Sequence, residues 1–314
     1  MKLSLIVPCF NEQDNVALFY ETCAQVFQGV IPSYELIFVN DGSRDATWQR
    51  LKMIRERNPE AKLKLVNFSR NFGKEAAIYA GLQKAAGDYV TVIDADLQQR
   101  PEVVLEMVRL LDENEEVDCV AAYQEQRREG KFISFCKKMF YKLINKVCDI
   151  DFHDNASDFR TFRKRMAEAI VEMREYHRFS KGIFSWVGFN THFIPYTAEE
   201  RNAGQTSWSF WKLLKYACEG FLSFTTFPLR LSTYLGSIAS LAAIIYLIVV
   251  VIQKLTNHID VPGYATIVVL ILLMSGIQLI MLGMIGEYLA RVYIESKQRP
   301  ICIEKEYLSY EDAE

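Results

Sequence analysis

The first half of the chain alternates short apolar runs with amphipathic stretches. Runs rich in β-branched and aromatic residues and bounded by turn residues predict strands at 3–8, 35–40, 63–68, 89–94 and 117–122. Between them, apolar residues recur at helical spacing and predict helices at 15–27, 45–58, 74–86 and 101–113. This alternation predicts an α/β fold with a mostly parallel sheet covered on both faces.

The next part of the chain predicts three more helices. Two are expected at 132–147, which is basic and aromatic, and at 159–174. The segment 208–227 combines aromatic residues with lysines, which favours a helix lying at a bilayer surface. An ordinary helix packed on the domain is the alternative.

Two later runs, 231–252 and 264–286, are strongly apolar and almost uncharged. At about 1.5 Å per residue, a helix of over twenty residues crosses a hydrocarbon core of about 30 Å. Buried core helices are the alternative, but they usually keep a polar face. The sequence therefore predicts a transmembrane hairpin.

Basic residues flank this hairpin and predict its orientation. Three precede the first span and three follow the second: Lys212, Lys215, Arg230, Arg291, Lys297 and Arg299. The connecting loop carries Lys254, offset by Asp260. The positive-inside rule places both termini, and with them the catalytic domain, in the cytoplasm at the inner membrane. The N-terminal apolar run is too short for a signal peptide.

Composition adds two exclusions. The formal net charge is −3, which gives no reason to expect a nucleic-acid partner. The seven cysteines contain no C-x-x-C pair, so a disulfide or zinc framework is not expected. The resulting domain prediction is a catalytic domain at 1–207, an interfacial region at 208–228, a hairpin at 229–290 and a cytoplasmic tail at 291–314.

Polar residues follow the end of the predicted strand at 89–94. Asp94 and Asp96 flank Ala95, and Gln98 supplies a neutral oxygen nearby. Because Mg²⁺ and Mn²⁺ prefer oxygen ligands, this group predicts a divalent-cation site that neutralises a leaving diphosphate. An Asp-x-Asp pair is common in loops, so the prediction of a metal site depends on the residues that follow the other strands of the sheet.

Residues after the other strands point to a nucleotide, since ligands of such sheets bind beyond the carboxyl ends of the strands. Asp41 is expected to accept a hydrogen bond from a base or ribose; an Asx-type turn, the role expected for Asp45, is the alternative. In the segment P-C-F-N-E, Phe10 offers a ring for stacking, unless Asn11 only caps a helix. Lys74 opens a helix and is expected to meet a phosphate, a solvated lysine being the alternative.

Taken in order, the motifs resemble those of family-two GT-A inverting glycosyltransferases. More narrowly, the chain resembles polyprenyl-phosphate hexosyltransferases such as dolichol-phosphate mannose synthase and the bactoprenol glucosyltransferases of the GtrB type. The resemblance spans nearly the whole chain and rests on V-P-C-F-N-E, V-N-D-G-S-R-D, F-S-R-N-F-G-K-E, D-A-D-L-Q, S-D-F-R, K-G-I-F-S-W-V-G-F, R-N-A-G-Q-T-S, the two spans and G-E-Y-L-A-R-V-Y. It implies a GT-A fold, transfer of a hexose from a nucleotide-sugar to a polyisoprenyl phosphate, and an oligomer as a plausible assembly.

The strand-end residues and the resemblance together define the predicted sites. The nucleotide-sugar site comprises Pro8, Phe10, Asn11, Glu12, Asp41, Lys74, Asp94 and Ala95 and, by resemblance alone, Arg127 and Lys131. The metal site comprises Asp94, Asp96 and Gln98, and the resemblance implies Asp158 as catalytic beside Asp96. The acceptor phosphate is expected at Arg201 and Ser207 by resemblance, and at Lys181 and Arg178 because a dianion must approach a diphosphate; a plain surface charge is the alternative for these cations.

Three positions depart from the family's pattern. Gln99-Arg100-Pro101 stands where relatives usually read D-P-P or H-P-P, Gln124 replaces a common arginine, and Trp208 replaces a common lysine. These departures affect donor and acceptor contacts rather than the class of reaction.

The expected reaction is a single displacement with inversion by a lipid phosphate oxygen. The second pKa of a phosphate monoester is about 6, so the nucleophile is already largely ionised at neutral pH. Asp158 is therefore either a general base, a residue that orients a cation or binds the sugar, or a cap before a helix starting at Phe159.

Other classes of protein fit less well. A processive polysaccharide synthase needs more spans and a Q-x-x-R-W motif, and a nicotinamide or flavin enzyme needs G-x-G-x-x-G after the first strand. An inactive membrane scaffold that keeps the fold stays open as an alternative, although the intact acidic residues disfavour it. UDP-glucose is the first expectation for the donor; GDP-mannose, UDP-galactose and UDP-N-acetylglucosamine stay open.

Overall fold

The computed structural model describes residues 2–124, 156–197, 199, 225–256 and 263–310. The chain divides into two compact units, Met1–Ser223 with Pro300–Glu314, and Phe224–Arg299. The strands of the first unit are β1 (Lys2–Cys9), β2 (Ser33–Asn40), β3 (Leu63–Phe68), β4 (Tyr89–Val92), β5 (Cys119–Gln124), β6 (Ala156–Arg163), β7 (Thr191–Tyr196) and β8 (Glu304–Ser309). Its helices are α1 (Val16–Phe27), α2 (Thr47–Arg57), α3 (Lys74–Lys84), α4 (Pro101–Glu113), α5 (Lys164–Glu172) and α6 (Ser180–Trp186).

The eight strands form one sheet in the order β7-β5-β6-β4-β1-β2-β3-β8. Strands β1 to β4 pair in parallel, as do β5 and β7. Strand β6 runs antiparallel to β4 and β5, and β8 runs antiparallel to β3. The predicted α/β fold with a mostly parallel sheet is confirmed, with two antiparallel strands that the sequence pattern did not predict.

The central strands are mostly buried and rich in apolar residues, as expected for a parallel sheet with helices on both faces. All six residues of β3 are buried. Helix α1 buries Val16, Phe19, Cys23 and Phe27, whose spacing of three to four residues forms one face of the helix. The parallel strands at the centre therefore end at one common edge, where their loops begin.

The helix predicted at 159–174 is wrong in its first five residues. Residues Ala156–Arg163 form strand β6, and the helix begins at Lys164. Phe159, Thr161 and Phe162 are completely buried between neighbouring strands and the covering helices. β-branched and aromatic residues fit this pleated, buried environment. Asp158 consequently lies inside a strand and does not cap a helix.

The second unit contains α7 (Phe227–Thr256) and α8 (Tyr264–Ser296). Both predicted apolar runs are helical, and the helices extend beyond them. The segments Phe227–Tyr246 and Val269–Ser296 are long and apolar enough to cross a membrane. The predicted helix at 132–147 and residues 208–224 of the predicted interfacial helix lie outside the described residues. The predicted tail at 291–314 instead contributes the end of α8 and the edge strand β8.

Candidate active site at the strand ends

The loops after β1 and β2 are held together by Asn11 and Ser43. Asn11 adopts a positive φ of 57°, and its backbone N–H donates to Ser43 Oγ at 2.9 Å. The Asn11 side-chain oxygen accepts from the backbone N–H of Arg44 at 2.9 Å. Asn11 therefore bridges the two loops, and the helix start that was its alternative role lies at Asn15. Beside it, the Phe10 side chain is exposed, as stacking on a base requires.

Asp45 forms the Asx-type turn expected for it. Its Oδ1 accepts from the backbone N–H and the hydroxyl of Thr47 at 3.0 and 2.5 Å, and its Oδ2 accepts from the N–H of Gln13 at 3.2 Å. Glu12 lies next to this turn, where its carboxylate accepts from Asn15 Nδ2 at 2.6 Å. Pro8 lies within β1, beside Val39 of β2.

Asp41 holds the loop that opens α3. Its side chain is buried, and its two carboxylate oxygens accept from the backbone N–H groups of Phe72 and Gly73 at 2.6 and 2.9 Å. Burial raises the pKa of Asp41 to about 6, against the opposing effect of these two hydrogen bonds and of the Arg70 charge. These contacts give Asp41 a structural function; its nucleotide contact stays a prediction.

The turn after β4 presents the two predicted metal-binding carboxylates. Ala95 is buried, while Asp94 and Asp96 are both partly exposed on either side of it. Asp96 Oδ1 accepts from the backbone N–H of Gln98 at 3.2 Å, and Leu97 has a positive φ of 61°. A bulky residue in the left-handed region is strained, which is typical of functional sites.

Gln99 clamps Asp94. Its Oε1 accepts from the backbone N–H of Asp94 at 2.9 Å, and its Nε2 donates to Asp94 Oδ2 at 3.1 Å. The side chain of Gln98 instead donates to the backbone oxygen of Glu199 at 3.4 Å, so its role as a metal ligand stays a prediction. Gln99 was not predicted to belong to the site, although it is one of the positions at which the chain departs from the family's pattern.

Lys74 joins Asp94 to Asp158. Its Nζ lies 2.6 Å from Asp94 Oδ1 and 3.3 Å from Asp158 Oδ2. Desolvation opposes the charged form of Lys74, but the two carboxylates outweigh it and hold the pKa of the ammonium above its ordinary value. Lys74 is therefore ion-paired while its side chain stays partly exposed to solvent, and its contact with a phosphate stays a prediction.

Asp158 is held in its ionised form. Burial alone would raise the pKa of Asp158, but the positive charges of Lys74, Lys181 and Arg160 lower it below its ordinary value. Its Oδ1 is buried and has no hydrogen-bond partner among the described residues. A carboxylate with a lowered pKa is a weak base, so this environment favours an orienting or sugar-binding role for Asp158 over general-base catalysis.

Arg160 and Glu75 extend this charged cluster below the site. Arg160 is buried, with its guanidinium 3.9 Å from the centre of the Phe184 ring. Glu75 accepts hydrogen bonds from the backbone N–H and the hydroxyl of Ser180 at the start of α6. Neither residue was assigned to the site. Arg160 could have been predicted if residues 156–163 had been assigned to a strand, because residues two apart on a strand, such as Asp158 and Arg160, point to the same face.

The predicted acceptor cations differ in their surroundings. Arg178 donates to the backbone oxygens of Ile170 and Met173 near the end of α5 and lies 4.6 Å from the Tyr79 ring centre, which favours a structural role. Lys181 lies in α6, near enough to Asp158 to lower its pKa. The remaining predicted donor and acceptor residues lie outside the described residues: Arg127, Lys131, Arg201 and Ser207.

Comparison with known proteins covers both units. The family model described as glycosyl transferase family 2 matches residues 4–171, and the model described as GtrB C-terminal hairpin matches residues 227–292. An uncharacterized glycosyltransferase of Synechocystis sp. is 42% identical over 302 residues, covering 96% of this chain and 94% of the relative. The bactoprenol glucosyl transferase of Shigella phage SfV is 40% identical over 302 residues, covering 96% and 97%. Glucosyl-3-phosphoglycerate synthase from Mycobacterium tuberculosis, solved with Mn²⁺ and UDP-glucose, has a TM-score of 0.44 at 17% identity, covering 69% of this chain and 75% of that chain.

Proposed function

Since the chain belongs to glycosyl transferase family 2, we propose that it transfers glucose from UDP-glucose to undecaprenyl phosphate, with inversion at the anomeric carbon. Relatives named bactoprenol glucosyl transferase, alignable over 96% of the chain, support the acceptor and the sugar. The observation that carries the proposal is the convergence of Asp94, Lys74 and Asp158 at the strand edge beside Asp96.

Asp94 and Asp96 fit a divalent cation, Mg²⁺ or Mn²⁺, that is shared with the donor. Mg²⁺ usually takes one or two carboxylates from a protein and completes its shell with water and substrate phosphates. Among residues 2–124, 156–197 and the other described segments, no group of three or more His, Cys, Asp or Glu is placed to hold a metal. Water would complete the shell in the absence of the donor, and the donor diphosphate would replace part of that water when it binds. When bound, the cation supplies charge neutralisation of the leaving diphosphate.

The residues of the chain bind and orient the two substrates. Exposed Phe10 stacks on the base, and Lys74 places a positive charge where the diphosphate lies. The buried Oδ1 of Asp158, which has no hydrogen-bond partner among the described residues, accepts a hydrogen bond from a sugar hydroxyl. Because the acceptor phosphate is already largely ionised at neutral pH, the reaction needs no strong base, which agrees with the lowered pKa of Asp158.

Membrane association places the lipid acceptor within reach of the protein. The two apolar helices and the match to the GtrB C-terminal hairpin support it. Basic residues are more frequent in the segments before and after the hairpin than in its connecting loop, which supports a cytoplasmic position of both termini. Nucleotide-sugars are available in the cytoplasm. A homo-oligomer is part of the proposal by analogy with the family alone.

The test uses the full-length protein purified in detergent. Radiolabelled UDP-glucose and undecaprenyl phosphate should yield a labelled lipid that requires Mg²⁺ or Mn²⁺, and the same assay with labelled GDP-mannose, UDP-galactose and UDP-N-acetylglucosamine should yield less. Asp94→Asn and Asp96→Asn should each lower the rate at least about a hundredfold, as expected for loss of a metal-binding carboxylate. Asp112→Asn, at an exposed position near the end of α4, is the matched control. Absence of labelled lipid with every donor would support the scaffold alternative.

A further inference from the structure

We propose that Lys74 and the divalent cation compete for Asp94, so that cation binding moves the Lys74 ammonium from Asp94 to Asp158 and the donor diphosphate. This inference rests on the proposed function, because it concerns the metal site of the same transfer. It makes Lys74 a residue that couples metal binding to nucleotide binding.

Both oxygens of Asp94 are engaged, but by partners of very different mobility. Oδ2 accepts from Gln99, whose side chain is buried and also holds the backbone N–H of Asp94. Oδ1 lies 2.6 Å from Lys74, whose side chain is 41% exposed. A long, half-exposed lysine side chain changes conformation far more easily than a buried, doubly bonded glutamine. Lys74 is therefore the partner that yields Oδ1.

Charge makes sharing of Oδ1 unfavourable. A divalent cation binds a carboxylate oxygen at about 2.0–2.6 Å, and Lys74 is at a similar distance from the same atom. An ammonium and a dication that close repel each other strongly in a partly buried site. The ammonium must then withdraw from Asp94 for the cation to bind well.

Asp158 gives the displaced ammonium a place to bind. Its Oδ2 already lies 3.3 Å from Lys74, and its buried Oδ1 has no hydrogen-bond partner among the described residues. A small rotation of the Lys74 side chain keeps this contact while releasing Asp94. The diphosphate offers the same ammonium a further anionic partner, so nucleotide and cation should favour each other's binding.

The experiment measures the binding of Mn²⁺ alone to the full-length protein in detergent, from the electron paramagnetic resonance signal of free Mn²⁺. Lys74→Met and Lys74→Gln should bind Mn²⁺ about five to twenty times more tightly than the wild type, because the competitor is removed. Lys74→Arg should stay within a factor of about three of the wild type. Lys84→Met is the matched control, since Lys84 lies on the same helix and pairs with a carboxylate, Glu304, at 3.1 Å.

A second titration with UDP present tests the coupling. UDP should tighten Mn²⁺ binding clearly more in the wild type than in Lys74→Met, because only the wild type has an ammonium to transfer to the diphosphate. Unchanged or weaker Mn²⁺ binding in both neutral variants, or no Mn²⁺ binding by any of the proteins, would overturn the inference. Tighter Mn²⁺ binding in the neutral variants without any lipid glycosylation by the wild type would reject the proposed function and leave the competition standing.

Discussion

At the scale of single residues, Gln99 determines how Asp94 is presented. Its side-chain oxygen accepts from the backbone N–H of Asp94, and its side-chain nitrogen donates to the Asp94 carboxylate. The two hydrogen bonds together fix the orientation of the carboxylate. Partners of this kind orient metal-binding side chains, and their loss typically costs about 10–100-fold in metal affinity or activity.

Gln99→Leu should therefore lower the turnover rate by about 10–100-fold and raise the Mg²⁺ concentration needed for half-maximal rate. The measurement is the initial rate of lipid glycosylation across a Mg²⁺ series. Gln98→Leu provides the comparison, since the Gln98 amide is directed to the Glu199 backbone. A larger loss in Gln98→Leu than in Gln99→Leu would instead establish Gln98 as the metal ligand.

Gly42 permits the close approach of two site loops. It has a φ of +60°, and a Cβ at this position would lie 2.3 Å from the carbonyl carbon of Arg70. Gly42→Ala should lower the unfolding free energy by more than the roughly 1–2 kcal/mol of a left-handed alanine. Gly29→Ala is the matched control, because Gly29 has a φ of +74° but open space around its Cβ position. Thermal unfolding should show a clearly larger loss for Gly42→Ala; equal losses would contradict the steric argument.

Glu75 should make the stability of the protein depend on pH. Burial and the charge of Asp158 raise the pKa of Glu75 from 4.5 to about 7, against the opposing hydrogen bonds from Ser180 and the charge of Lys74. Between these values the folded protein binds more protons at Glu75 than the unfolded chain does, so this contribution to stability falls as the pH rises.

The expected size of this effect is roughly 1–3 kcal/mol between pH 4.5 and 7. Glu75→Gln removes the titrating group, so the melting temperature of this variant should fall less steeply from pH 5 to pH 7.5 than that of the wild type. Glu56→Gln, at an exposed position on α2, should keep the wild-type slope. A slope unchanged by Glu75→Gln would contradict the assignment.

At the scale of elements, sequence pattern predicted the first five strands, β1 to β5, but not the last three, β6 to β8. Strand β3 and helix α4 begin and end where they were predicted, because each is bounded by turn residues and has a clear period. Residues 159–163 of strand β6 were predicted as helix because they show no clean alternation of apolar and polar residues. Their burial depends on strands and helices that are distant in sequence. Strand β8 was not predicted, because it is charged, short and far in sequence from its partner β3.

Strand β8 covers the edge of the sheet next to β3. Its Glu306 accepts from Trp48 Nε1 at 3.1 Å, and Glu304 pairs with Lys84 at 3.1 Å. Removing residues 303–314 should lower the unfolding free energy by roughly 2–5 kcal/mol, from the lost backbone hydrogen bonds and these side-chain contacts. Thermal unfolding measures the loss, and removal of residues 311–314 alone is the control. Equal melting temperatures for the two truncations would show that β8 contributes nothing.

At the scale of the whole molecule, the charge asymmetry around the hairpin predicts its orientation. Arg291, Lys297 and Arg299 follow the apolar run 264–286 predicted from the sequence, whereas the loop between the two apolar runs is nearly neutral. A green fluorescent protein fused to the C-terminus should fluoresce, because the C-terminus is expected in the cytoplasm. Alkaline phosphatase inserted at position 258 should be active, because the loop between the spans is expected to be translocated. A fluorescent insertion at 258 together with an active C-terminal phosphatase would reverse the proposed orientation.

The candidate site was predictable in its composition but not in its internal contacts. Asp94, Asp96 and Lys74 were predicted to lie near one another because the ends of parallel strands meet at one edge, and Lys74 does contact Asp94. The residues around them, Gln99 and Arg160, were not predicted. Gln99 binds Asp94 across a local turn, and Arg160 lies on a strand whose residues 159–163 were predicted as helix. The direction of a side chain depends on residues that are distant in sequence but close in space. A single sequence does not show which residues are close in space.

The position of β8 after the second apolar helix has a consequence for biosynthesis. A ribosome delivers β3 long before residues 304–309, with the whole hairpin in between. Until residues 304–309 emerge, β3 is an open sheet edge, the kind of surface at which nascent chains associate with one another. The sheet is thus completed only after the hairpin has been synthesised, and a chain truncated inside the hairpin is expected to keep β3 as an exposed, aggregation-prone strand.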